Sequence, residues 1–368
     1  MGVTNIISSL TKLAIDSSLF MTNRLYLIIV IGFSTSHFAK KGIEMEYKSL
    51  GTTGVKVSTL CFGTMSFGGD ADEETSAALF HRCRDVGINF FDCANVYGEG
   101  RAESILGELI SDCRNELVVI SKFGSPMGTG YNAQGGSRRH LISSLETSLK
   151  RLNTEYIDIY FLHRFDEQTP LEGTLRALED VVAQGKVRYI GVSNFAAWQV
   201  AKALGISACN GWTSFDCIQP MYNLIKRQAE VEILPLAKSE KLGVITYNPL
   251  GGGILTGKYG PDRRAEQGRL AGDDMYRKRY GEQWMYDAAV KFAQFAGDNG
   301  YHPAALAVAW VAHHPAVTAP ILGARNVDQL NDSLQSVEIE ISPDLYDAIC
   351  HLTPKPPPAT DRSEIFYQ

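Results

Sequence analysis

The feature that most constrains this chain is an alternation. From residue 47 onward, eight short apolar runs recur, most of them roughly 30 residues apart, the length of one strand–helix unit. They are Thr59–Phe62, Asn89–Asp92, Leu117–Ser121, Ile157–Leu162, Val187–Val192, Cys217–Gln219, Val244–Tyr247 and Ala319–Leu322. Helical patterns fill the gaps: Asp72–Val86, Glu99–Ile110, Arg139–Leu152, Leu171–Gln184, Ala196–Leu204, Gln228–Glu240, and later Glu282–Ala296 and Pro303–His313. In Glu99–Ile110 the apolar residues Ala102, Ile105, Leu106 and Leu109 give the i, i+3, i+4 stripe of an amphipathic helix. Eight strands, each followed by a helix, predict an α/β fold, a closed (β/α)8 barrel. A doubly wound sheet is the rival, but it shows fewer strands and a GxGxxG turn, which this sequence lacks.

Ahead of the first run, Tyr47–Leu50 and Val55–Val57 flank Gly51-Thr-Thr-Gly54. This reads as a β-hairpin plugging the barrel floor. Residues 1–44 differ from the rest. Their longest apolar stretch, Leu25–Phe33, has nine residues, against the about 20 that span a bilayer. They read as an extension outside the barrel, disordered or an organelle-targeting segment, with 45–368 as a single domain. At the other end, Pro354–Pro358 is too proline-rich for a helix and is expected to run over the surface.

Composition narrows the function classes. The net charge of −6 speaks against a nucleic-acid surface. Seven scattered cysteines without a CxxC pair read as reduced thiols of a cytoplasmic protein. HExxH is absent and no Cys/His cluster has metal-ligand spacing, so no metal site and no metal-dependent hydrolase is expected.

In such barrels the chemistry lies at the C-terminal ends of the strands. Run two ends in Asp92, with Tyr97 one loop later; run three leads to Lys122; run four leads to His163. Each alone has an ordinary reading: a turn aspartate, a packed tyrosine, a snorkelling lysine, a structural histidine. Together at one barrel mouth they form a general-acid site for a developing alkoxide. A buried Lys needs a carboxylate, and Asp92 is the candidate. Its ammonium beside a phenol should lower the phenol's pKa from about 10.

Seven stretches resemble the aldo-keto reductase family: GINFFDCANVYGEGRAESILGE (87–108), VVISKFG (118–124), DIYFLHRFD (158–166), VRYIGVSNF (187–195), IQPMYNL (218–224), YNPLGGGILTGKY (247–259) and PILGARNVDQL (320–330). The resemblance runs from residue 46 to about 350. It implies reduction of an aldehyde or ketone by NADP(H), with a catalytic tetrad of Asp92, Tyr97, Lys122 and His163. Tyr97 would donate the proton, Lys122 held by Asp92 would acidify it, and His163 would orient the substrate.

The resemblance also implies a cofactor groove. Gly63 and Thr64 would let it approach; Ser193, Asn194 and Gln219 would bind the carboxamide; Tyr247 would stack on the nicotinamide. Asn248, Pro249, Leu250, Gly252, Thr256 and Lys258 match the loop over the pyrophosphate. Gly323, Ala324, Arg325 and Gln329 match the adenosine side, where the Arg325 fork suits a 2′-phosphate and favours NADPH over NADH. Ser333 departs from the pattern, since many relatives carry Asn there. The basic stretch Lys258, Arg263, Arg264, Arg269, Arg277, Lys278 and Arg279 reads mostly as a solvated loop, with Arg263 or Arg264 as candidate phosphate contacts. Phe67, Phe165, Trp198 and the Pro-rich tail are available to shape a substrate site, though an aromatic in such a loop is more often a packing residue than a substrate wall. The same barrel serves in cofactor-binding regulatory subunits resembling potassium-channel β subunits, which is the alternative expectation.

Overall fold

The computed structural model describes residues 44–259 and 269–360. The reading of the N-terminal extension, and of Arg263 and Arg264, therefore lies outside the described residues. Strands β1 (Tyr47–Ser49) and β2 (Lys56–Ser58) pair antiparallel as the hairpin. The barrel strands are β3 (Cys61–Gly63), β4 (Phe90–Asp92), β5 (Val118–Phe123), β6 (Ile157–Leu162), β7 (Val187–Ser193), β8 (Cys217–Gln219), β9 (Gly243–Thr246) and β10 (Ala319–Leu322). They close in the order β10-β3-β4-β5-β6-β7-β8-β9, every neighbour parallel. The expected (β/α)8 barrel with an N-terminal hairpin is the observed fold.

The helices are α1 (Glu73–Asp85), α2 (Arg101–Leu109), α3 (Arg138–Arg151), α4 (Leu171–Ala183), α5 (Ala197–Asn210), α6 (Ile233–Ser239), α7 (Arg269–Gly272), α8 (Asp274–Arg279), α9 (Gln283–Asp298), α10 (Pro303–His313), α11 (Val327–Leu334) and α12 (Pro343–Cys350). Among the described residues none is long and apolar enough to cross a membrane. Helix starts follow their caps: Asp72 accepts the Thr75 N–H at 2.9 Å, a contact worth about 1 kcal/mol.

Three helices differ from their sequence patterns. α5 continues through Gly205 to Asn210, and the left-handed residue that stops it is Gly211, at φ +65. The Gln228–Glu240 pattern divides into a 3-10 turn at Gln228–Glu230 and α6, whose Pro235 has no N–H to continue an upstream helix. α2 starts at Arg101 because Gly98, Glu99 and Gly100 all have positive φ.

The barrel interior is a packed core. Cys61, Phe90, Val118, Ile120, Ile159, Phe161, Cys217, Ile245, Ala319 and Ile321 form one buried cluster with Leu50 and Val57 of the hairpin segment. Each fully buried Leu, Ile or Phe contributes about 1.5–3 kcal/mol. Gly51, at φ +52, brings the hairpin turn against the starts of β8 and β9: a Cβ there would lie 2.8 Å from Gly243 N and 2.9 Å from Lys241 O. The floor is thus stoppered at the N-terminal face.

Strand period sets what stands above this core. Alternate residues of a strand share a face. Two positions beyond Cys61, Phe90, Ile120, Phe161, Cys217, Ile245 and Ile321 come Gly63, Asp92, Lys122, His163, Gln219, Tyr247 and Gly323. One inward-facing register carries seven strands from apolar filling to polar or small residues at the mouth.

Candidate active site

Lys122 is fully buried and Asp92 almost so. Lys122 Nζ lies 2.6 Å from Asp92 Oδ1, donates to Cys93 O at 2.8 Å, and donates to the Tyr97 hydroxyl at 3.2 Å. Parallel pairing of β4 with β5 brings the first two residues together, with Asp92 opposite Ile120. Tyr97 reaches them from a 3-10 turn (Tyr97–Gly100) braced by its own left-handed residues. The His163 ring meets the Tyr97 ring edge-on, centroids 6.1 Å apart, and its Nδ1 is 3.3 Å from Ser125 Oγ.

The electrostatics differ from the sequence expectation at one point. Burial pushes the Tyr97 phenol up to about 12, and the Lys122 ammonium only partly offsets it. Without water around the phenolate, one ammonium already neutralised by Asp92 does not bring the phenol below its ordinary value. Burial works against the Lys122 charge, yet Asp92 and Tyr97 outweigh it and raise its pKa. Burial, with Lys122 and Arg164 adding to it, lowers His163 to about 3, so its imidazole is neutral.

A second chain of bonds leads away from Asp92. Gln219 Nε2 donates to Asp92 Oδ1 at 2.8 Å, and Ser193 Oγ donates to the Gln219 carbonyl at 2.9 Å. Asn194 Nδ2 donates to Ser193 Oγ at 3.0 Å and to the His163 carbonyl at 2.9 Å, while its Oδ1 accepts from the Tyr247 hydroxyl at 2.6 Å. Asn194 has φ +57, a left-handed conformation that Asn tolerates better than most residues.

These groups face a cavity of about 900 Å³ at the C-terminal mouth. Its wall includes Gly63, Asp92, Tyr97, His163, Ser193, Asn194, Gln219, Tyr247, Asn248, Pro249, Leu250, Gly252, Thr256, Lys258, Gly323, Ala324, Arg325 and Gln329. Two candidates stand behind the wall. Lys122 acts on the cavity through Tyr97. Thr64 is buried, its N–H and hydroxyl both donating to Asp92 O at 2.9 and 3.1 Å. Asn248 organises the glycine loop: its Oδ1 accepts the Gly252 N–H at 2.8 Å and its Nδ2 donates to the Tyr280 hydroxyl at 2.7 Å. Gly252 has φ +69, and a Cβ there would lie 2.7 Å from the Tyr276 ring. On the β10 side, Gln329 Oε1 accepts the Arg325 N–H at 3.1 Å, and Ser333 lines the cavity with its Oγ donating to Gln329 O at 3.2 Å.

The three aromatics Phe67, Phe165 and Trp198 do not line the cavity and pack instead, the more ordinary of their two readings. Phe67 is fully buried against Phe62, and Phe165 packs between Phe195 and the exposed Trp198. Met65, Ser125, Arg164, Met275 and Tyr276 line the cavity without having been singled out in the sequence, and Arg279 lines it too. Arg279 in particular leaves the basic stretch that read as solvated. Nothing in residue type or spacing separates these from surface residues, because loops after the strand ends have no fixed period.

The profile of the Aldo/keto reductase family matches residues 59–353. The chain is 37% identical over 327 residues to the uncharacterized oxidoreductase YrpG of Bacillus subtilis (strain 168), covering 85% of this chain and 97% of that protein. It is 36% identical over 305 residues to a probable voltage-gated potassium channel subunit beta of Arabidopsis thaliana, covering 80% and 92%. Versiconal hemiacetal acetate reductase of Aspergillus parasiticus is 32% identical over 329 residues, covering 82% and 94%. An eight-stranded barrel with an Asp–Lys–Tyr contact at its mouth, and a match spanning nearly all of that barrel, agree: this chain belongs to the aldo/keto reductase family.

Proposed function

We propose that this chain reduces an aldehyde or ketone to an alcohol with NADPH, and that Tyr97 is the general acid. The observation that carries this reading is the Tyr97 hydroxyl 3.2 Å from the buried Lys122 ammonium, itself 2.6 Å from Asp92, on the wall of the large cavity.

The residues present fit the cofactor. Ser193, Asn194 and Gln219 offer the hydroxyl and amide groups that suit a carboxamide, beside the Tyr247 ring. Gly251, Gly252 and Gly253 all have positive φ, and the position of a Gly253 Cβ is 3.1 Å from Lys258 Nζ. Backbone exposed by glycine beside an ammonium suits a pyrophosphate. Arg325 suits a 2′-phosphate, with Gly63, Thr64, Pro249, Leu250, Thr256, Gly323, Ala324 and Gln329 shaping the groove.

NADPH supplies a hydride to the carbonyl carbon when bound. The Tyr97 O–H donates its proton to the carbonyl oxygen as charge develops there. The Lys122 ammonium stabilises the phenolate left behind, and Asp92 keeps that ammonium charged. The neutral His163 imidazole offers an N–H that orients the carbonyl oxygen. In the oxidative direction the phenolate takes the proton back.

Activity over a carbonyl panel, with NADPH and with NADH, tests the reading beside Tyr97→Phe. The expected result is turnover by wild type, faster with NADPH, and a loss of at least about a thousandfold in Tyr97→Phe with cofactor binding kept. Wild-type rates in Tyr97→Phe would overturn the mechanism. The relatives named as potassium-channel β subunits support a second reading, a cofactor-binding regulatory subunit. Tight NADPH binding without turnover of any carbonyl would favour it.

A further inference from the structure

We infer that Arg164 forms an anion-binding subsite beside Tyr97 and His163, so that the preferred carbonyl substrates carry a carboxylate or phosphate within a few bonds of the reacting carbon. This rests on the reductase reading above and specifies its substrate class.

The charges on the cavity wall carry the argument. Among the described residues two carboxylates line it, Asp92 and Asp332. Asp92 holds Lys122. Asp332 sits on α11 after β10 and faces His302 at 3.8 Å. Among the described residues four cations line the wall: Arg164, Lys258, Arg279 and Arg325. Lys258 lies against the glycine loop, Arg279 lies over Tyr276 beside Gly252, and Arg325 follows β10. All three stand where a dinucleotide's phosphates would offset them.

Arg164 has no such counterpart. It follows β6, and in the closed order β6 lies four strands from β10 in either direction, across the mouth. Among the described residues its guanidinium has no hydrogen bond or ion pair. It lines the cavity with its side chain exposed to solvent, one residue after His163 and close enough to add to the depression of the His163 pKa. Its charge on the cavity wall has no protein counter-ion among the described residues, so it is available to an anionic ligand. Its planar fork suits carboxylate and phosphate.

The test compares charged and neutral substrates of similar shape: 2-, 3- and 4-carboxybenzaldehyde against benzaldehyde, and glyceraldehyde 3-phosphate against glyceraldehyde. Each pair is run with wild type, Arg164→Met and Arg164→Lys. The expected wild-type kcat/KM favours at least one charged member by about tenfold or more, mainly through KM. Arg164→Met should reduce that ratio about tenfold, Arg164→Lys should restore part of it, and high salt should erode it. The benzaldehyde series reads the spacing, and the glyceraldehyde pair separates phosphate from carboxylate. Ratios near one in wild type, or a ratio unchanged in Arg164→Met, would overturn the subsite. If no carbonyl is reduced at all, the reductase reading fails instead. Calorimetry then decides the subsite: benzoate or inorganic phosphate should bind the NADPH-loaded wild type more tightly than benzamide, and Arg164→Met should abolish the difference. Equal binding in both proteins would overturn it.

Discussion

Gln219 and Lys122 converge on one oxygen atom: Gln219 Nε2 and Lys122 Nζ lie 2.8 and 2.6 Å from the same Asp92 Oδ1. Ser193 and Gln219, which end β7 and β8, and the Asp92–Lys122 pair on β4 and β5 are therefore a single bonded network. Asp92→Asn keeps an acceptor for Gln219 but removes the counter-charge of a fully buried ammonium. A loss of about 3–5 kcal/mol is expected from the uncompensated charge, with reductase activity falling alongside. Gln219→Leu leaves the ion pair in place and should cost about 1–3 kcal/mol at most. Urea unfolding of the two variants checks the ranking; equal losses would contradict it.

The two titratable groups nearest the proposed carbonyl position lie outside the working pH range. Tyr97 is held at about 12 and His163 at about 3. Reductive kcat/KM should therefore be flat from about pH 5 to about pH 9, and the oxidative rate should rise with pH as the phenolate population grows. His163 also contributes to stability. Its folded pKa lies below its ordinary value of 6.5, so it takes up a proton more readily unfolded. Its contribution is complete above about pH 6.5 and is lost progressively as pH falls toward about 3, by a few kcal/mol in all. A urea titration from pH 7 to pH 4 should show that loss in wild type and a shallower one in His163→Gln. Parallel slopes would count against it.

Arg325 is the proposed discriminator between the two nicotinamide cofactors. Arg325→Ala should weaken NADPH binding about ten- to a hundredfold and NADH binding much less, since the charge-assisted fork to a 2′-phosphate is what it removes. Fluorescence titration with both cofactors measures this directly. Equal weakening of both would assign Arg325 a packing role.

Gly51 isolates the floor from the mouth. At φ +52, with three backbone atoms within about 3.0 Å of any added Cβ, Gly51→Ala has no room to relax. A destabilisation of about 2–4 kcal/mol is expected, while kcat at 25 °C stays within about twofold because the mouth is untouched. A stable Gly51→Ala protein, or an intact fold with altered kcat, would contradict this.

The barrel was legible because its rules are periodic. The Phe90-to-Asp92, Ile120-to-Lys122 and Phe161-to-His163 steps of two residues carry each strand from filling to mouth, and that pattern is written in sequence. Tyr97 lies off the period; it was legible by motif, and its placement depends on the left-handed turn at Gly98–Gly100. Arg164 and Arg279 were not legible, because a cation after a strand end or on a short helix has no spacing that separates cavity from solvent. The direction of the Tyr97 pKa was misread for a related reason. Sequence shows that Lys122 is near; it does not show how little water is left around the phenol, and burial outweighs the ammonium.

The hairpin on the barrel floor has a kinetic corollary. One end is stoppered by Leu50 and Val57, the interior is solid with side chains, and the large cavity opens at the other end. Ligands that reach Tyr97 would enter from that open end. Under the proposed reductase reading, the ligand seated deeper would then enter first and leave last.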